Sequence, residues 1–183
     1  MIFDLELSLK PDYLIDFSGS SEILLHEEKE GYTFAIKRIK EDSKIVGICN
    51  IEDLKHQYLY TKTRDNSYKN LKDCDYILIN EESKDIYFIE LKKNSGSIES
   101  INEQLSAGEV WLNHILFCAE RDIKELESFN KHRICLRYTE GPFSTKSRSY
   151  QTKKGVGDKI YYEFRGKEIT YSKLKSQALN NIN

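Results

Sequence analysis

The stretch "DCDYILINEESKDIYFIELKK", residues 73–93, sets acidic residues at the start of one apolar run and a Glu-Leu-Lys triplet at the end of the next. If 75–80 and 85–90 pair as an antiparallel hairpin around the polar quartet 81–84, paired position numbers sum to a constant. Asp75 then lies opposite Glu90, Ile77 opposite Phe88 and Ile79 opposite Ile86, with Asp73 opposite Lys92. Directly opposed residues share a face, so all of these belong to one side of a sheet. The other side carries Tyr76, Leu78, Tyr87, Ile89 and Leu91. Both faces are apolar, which puts the charges at the rim of a core rather than on an open surface. Charges there are costly unless they are compensated, either by mutual salt bridges or by a bound cation.

The cation reading has definite chemistry. Magnesium takes oxygen ligands, keeps several waters and is commonly held by one or two carboxylates together with a substrate phosphate. A lysine two residues beyond one ligand, on the same strand face, can orient a water or stabilise charge developing on a phosphoryl group. Those are the parts needed for metal-assisted hydrolysis of a phosphodiester.

The segments on either side predict a mixed α/β chain. "YTFAIKRI" (32–39) and "KIVGICNI" (44–51) are rich in β-branched and aromatic residues and follow turn material, as strands of an N-terminal antiparallel region do. Residues 51–71 read equally as strand or helix. From Ile98 to about Glu120 the period changes: Ile98, Ile101, Leu105, Gly108, Leu112 and Ile115 form the stripe of an amphipathic helix, with Ser97 as its N-cap. "HRICLRYTE" (132–140) reads as a further strand. The basic, Gly-containing 144–159 reads as an exposed loop, and 159–172 as a hairpin turning at Arg165-Gly166-Lys167.

Asp75, followed after a short hairpin by Glu90-Leu91-Lys92 at the end of an apolar strand and then by a helix, resembles the core of the PD-(D/E)xK nuclease superfamily. The resemblance spans about 72–114. It implies a restriction-endonuclease-like αβββαβ core, a central mixed sheet flanked by helices, here with the additional N-terminal strands. By the same resemblance Asp75 and Glu90 bind Mg2+ or Mn2+, the Leu91 carbonyl completes the site, and Lys92 serves the attacking water. Gln104, on the helix that follows, matches a glutamine many members carry. The cysteine at position 74 stands where the family name has proline. Pro11-Asp12 lies too far from Glu90 to be its hairpin partner, and Glu163-Phe164-Arg165 has the spacing but ends in an arginine, which does not replace a compact ammonium. No upstream helix supplying a further glutamate is evident; Glu22 and Glu52 are the candidates.

Length and charge bound the remainder. The chain has 183 residues and a net charge of −2, consistent with one domain over 1–183 and with no global basic field. Contacts to nucleic acid are therefore expected to be local, at Lys69, Lys72, Lys146, Arg148, Lys153 and Lys154, with Tyr150 among the last four. Cys49, Cys74, Cys118 and Cys135 lack zinc spacing and read as reduced thiols. His26, His56, His114 and His132 have no nucleophile partner in sequence, and Trp111 reads as core. The expectation is a cytoplasmic enzyme without membrane spans. It would hydrolyse phosphodiester bonds, with DNA ahead of RNA as substrate, in restriction, phage defence or repair, and would act as a homodimer or with a partner subunit. The competing class is a non-catalytic, nuclease-like binding or assembly module.

Overall fold

A computed structural model describes residues 2–15, 20–40, 44–51, 73–93, 96–119, 122–140, 151–156 and 159–179. In chain order these form helix α1 (Ile2–Ser8) and strands β1 (Leu14–Ile15), β2 (Glu22–Glu27), β3 (Tyr32–Lys37), β4 (Ile45–Ile48), β5 (Tyr76–Asn80) and β6 (Asp85–Lys92). Helix α2 (Ile98–Cys118), strands β7 (Asn130–Tyr138), β8 (Gln151–Val156), β9 (Lys159–Gly166) and β10 (Glu168–Thr170), and helix α3 (Tyr171–Leu179) follow. The fold is mixed α/β, built on a seven-stranded sheet in the order β1-β4-β5-β6-β7-β9-β8 and a three-stranded sheet in the order β10-β3-β2.

The hairpin of residues 75–90 forms in the register the alternation predicts. Ile77 pairs with Phe88 and Ile79 with Ile86, all four fully buried on one face. Tyr76, Leu78, Tyr87, Ile89 and Leu91 are buried on the other. Asn80 closes the turn, its Oδ1 accepting from the Ser83 N–H at 2.9 Å while its amide donates to the Tyr171 hydroxyl at 2.8 Å. Strand β6 then runs in parallel with β7. Parallel neighbours need a long crossover, and α2 supplies it.

Helix α2 starts where expected, with the Ser97 hydroxyl accepting from the Ser100 N–H at 3.1 Å. Ile101, Leu105, Gly108, Leu112 and Ile115 are buried as the stripe requires, together with Trp111. Ile98 departs from the stripe and is 38% exposed, because it sits in the first turn, beyond the reach of the sheet. With Ile77, Ile79, Ile86 and Phe88, α2 makes one core, which also takes in Leu5 of α1. The opposite face of the large sheet is covered by Ile23, Leu25, Phe34 and Ile36 of the small sheet and by Leu174 of α3. Each Leu or Ile so buried contributes roughly 1.5–3 kcal/mol.

Several expectations are corrected. The N-terminal strands do not stay together: β2 and β3 pair in the small sheet, while β4 joins the large one beside β5. Residues 151–156, expected in a loop, form edge strand β8 antiparallel to β9, so the C-terminal hairpin is β8–β9. The chain does not turn back at Arg165-Gly166-Lys167; β10 leaves the large sheet and pairs in parallel with β3. An upstream helix does exist, α1, carrying an exposed Glu6. Glu22, one of the two candidate upstream glutamates, lies in the small sheet on β2; the other, Glu52, lies outside the described residues, as does most of 51–71. Among the described residues no helix is long and apolar enough to cross a membrane.

Candidate metal centre at the ends of β5 and β6

Asp75 immediately precedes β5, and the Tyr76–Ile89 pairing extends to set it opposite Glu90. Here the β5–β6 ladder has ended, and the Asp75 carboxylate replaces it: Oδ2 accepts from the Leu91 N–H at 2.6 Å. In a strand the N–H and C=O of one residue point to the same side, so the Leu91 carbonyl also opens toward Asp75.

Glu90 has no exposed surface. Lys92, two residues on, bonds its Oε1, whereas Oε2 is inaccessible and has no hydrogen-bond partner. Burial, aided by the charge of Asp75, pushes the Glu90 carboxyl well above the usual range, and Lys92 only partly opposes this. Asp75 is partly exposed as a residue, but protein surrounds its carboxyl. Burial raises it to about 7 against the pull of the Leu91 N–H and Lys92. Lys92 behaves in the opposite sense: burial would lower it, but the attraction of Glu90 wins and holds it as an ammonium. Two carboxyls that resist ionising together and one unpartnered buried oxygen thus stand beside the single ammonium of Lys92.

The donor set suits a hard cation. Among the described residues no group of three or more His, Cys, Asp or Glu side chains is arranged to hold a metal. Two carboxylates with one main-chain carbonyl match magnesium or manganese, which complete their shells with water and phosphate, rather than zinc.

The other predicted residues fall variously. Gln104 is half-buried on α2, one turn before Gly108, which packs on Cys74 and Phe88. It therefore lies on the β5–β6 side of the helix, without a hydrogen bond to the three motif residues. Lys153 is exposed on β8, and the Lys154 ammonium lies 2.8 Å from Glu163. Lys69, Lys72, Lys146 and Arg148 lie outside the described residues, as do Tyr150 and His56. His132 is structural, bonded to Asp85 at 3.0 Å and packed on Tyr87, and His26 bonds Thr33.

Sequence reading missed one neighbour, Tyr32, and set another, Glu163, aside. The Tyr32 hydroxyl is buried without a hydrogen-bond partner, and burial, together with the charges of Glu27, Glu30, Asp75 and Glu90, pushes its pKa up. Glu163 is wholly inaccessible and bonded by Arg137, Lys154 and Arg165 at 2.8–2.9 Å. The signal for the second was present in Glu163-Phe164-Arg165, which repeats the spacing of Glu90-Leu91-Lys92.

No protein-family model, curated protein or solved structure matches the chain.

Proposed function

We propose that the chain is a divalent-metal-dependent nuclease of the PD-(D/E)xK type, acting on DNA ahead of RNA. The observation that carries this reading is Glu90: a fully buried carboxylate with one unpartnered oxygen, beside Asp75 and bonded on its other oxygen by Lys92. The order α1, β4, β5, β6, α2, β7 supports it. In that order three antiparallel neighbours are followed by a crossover helix and a parallel strand, which agrees with the αβββαβ core expected from the resemblance.

Asp75, Glu90 and the Leu91 carbonyl would hold Mg2+ or Mn2+. Such an ion supplies a polarised phosphoryl oxygen and a water of lowered pKa. Lys92 is held protonated, so it acts as a donor: it orients the attacking water and offsets charge on the phosphate, rather than removing a proton. Burial keeps Glu90 from ionising freely, and a bound cation would favour its charged form. Gln104, on the adjoining turn of α2, is a positioning residue for the water or the phosphate.

The test is incubation of labelled DNA and RNA with the protein in Mn2+, Mg2+ or chelator, beside Glu90→Gln. Cleavage that needs metal and disappears in the variant is expected; cleavage in chelator, or equal cleavage by the variant, would refute the assignment. A second reading, a nuclease-like module without activity, draws on the Lys92–Glu90 ion pair and predicts that Mn2+ leaves the protein's stability unchanged. A homodimer or partner subunit belongs to the proposal as well, and sedimentation with and without DNA tests it.

A further inference from the structure

The register of the large sheet lays two rows across the face that α2 covers. Glu90 on β6 pairs with Cys135 on β7, and Cys135 with Glu163 on β9. Two residues further along the same strands, Lys92 pairs with Arg137 and Arg137 with Arg165. Paired residues on neighbouring strands share a face, and neighbouring strands lie about 4.8 Å apart, so Arg137 and Arg165 stand roughly 5 and 10 Å from Lys92.

Arg137 donates from Nη2 to Glu163 at 2.9 Å, Lys154 from β8 at 2.8 Å, and Arg165 through Nε at 2.8 Å. Burial would raise the Glu163 carboxyl, but the three cations outweigh it and hold it at about 2, so it stays ionised at neutral pH. Among the described residues, three cations bond this one carboxylate. Glu99, exposed in the first turn of α2, is a further acid whose field reaches this side, at Tyr161. Two of the cationic heads are not sealed away: the Arg165 side chain is 51% exposed and that of Lys154 23%, whereas Arg137 is buried and braces Glu163 from within. Glu163 thus acts as a buried anchor that orients the cations while the outer side of Arg165 and Lys154 faces water. Fixed, partly desolvated arginines are the side chains best suited to phosphate.

We infer that Arg165, on the row that runs from Lys92 through buried Arg137, and Lys154, which reaches Glu163 from the neighbouring strand, form a binding track for the nucleic-acid phosphates that flank the scissile one. The inference rests on the nuclease reading for the place of the scissile phosphate, but its charge and geometry do not depend on catalysis. It places strand contacts on the sheet itself, across β8 and β9.

The experiment measures binding without cleavage, by fluorescence anisotropy of labelled single-stranded and duplex DNA and RNA in chelator across a salt series. The full chain is compared with Arg165→Ala, Lys154→Ala and, as control, Lys37→Ala, an exposed cation of the small sheet paired with Glu168. One phosphate contact contributes about 0.9 to the slope of log K against log salt on duplex, or about eightfold at 0.1 M. Each track variant is expected to lose about that much affinity and slope, and Lys37→Ala neither. Unchanged slopes in both track variants, with folding verified by circular dichroism, would overturn the track even if metal-dependent cleavage is found. Lost slopes in a protein that never cleaves would uphold the track and refute the nuclease reading. Absence of binding to any of the polymers would overturn the track directly.

Discussion

Asp75→Asn offers a test that needs no substrate. The Asp75 carboxyl stands at about 7 in the folded chain against an ordinary value of 3.8, a difference of about three pH units. Each unit corresponds to about 1.4 kcal/mol, so the ceiling on the effect is about 4 kcal/mol. The sign follows from which state holds the proton. Between about pH 4 and 7 the native state binds the proton and the unfolded state does not, so wild-type stability falls as pH rises through this window. The amide of the variant does not titrate and escapes the fall. Urea unfolding in chelator from pH 4.5 to 8.5 should show near-equal stabilities at the acid end. At the alkaline end the variant should be the more stable by at least about 1 kcal/mol and at most the ceiling. Added Mn2+ should then reverse the order, stabilising wild type at pH 8 and leaving the variant unmoved. A difference that does not change with pH would refute the buried, repelled carboxyl. A wild type that Mn2+ does not stabilise would refute the cation as its compensation.

Three further outcomes are expected. Gly108→Ala would bring a Cβ within 2.3 Å of the Cys74 sulfur and 3.1 Å of Phe88, so chemical denaturation should show a loss of about 1–3 kcal/mol despite alanine's helix propensity, partly restored by adding Cys74→Ala. Glu163→Gln removes a carboxylate whose pKa is depressed to about 2; its stabilisation is present above about pH 4.5 and lost as pH falls toward 2, so the variant should be weaker by about 3 kcal/mol at pH 7 and match wild type in strong acid. Ser97→Ala should cost α2 about 1 kcal/mol in thermal or urea unfolding, through the lost bond to the Ser100 N–H.

What could be read in the sequence follows from where each element sits. The β5–β6 hairpin lies in the middle of the large sheet with both faces buried, so its alternation fixes register and brings Asp75, Glu90 and Lys92 together. Helix α2 crosses a sheet face, which imposes its stripe, and Ser97 marks its start. Strand β8 was illegible because it is an edge strand carrying Lys153, Lys154 and Gly155; Lys154 enters the sheet only because Glu163, nine positions on, receives it. The step from β9 to β10 looks like a hairpin locally, and nothing near Gly166 reveals that the partner is β3, more than a hundred residues earlier. Helix α1 has only seven residues, too few to establish a period.

The most direct test of the central claim sets wild type beside Lys92→Ala on an end-labelled DNA strand with Mn2+, under single-turnover conditions with both proteins verified as folded. The account predicts cleavage by wild type that is abolished by chelator and reduced at least about a hundredfold in the variant. Equal cleavage by the two proteins would contradict it, because Lys92 would then play no part in the reaction.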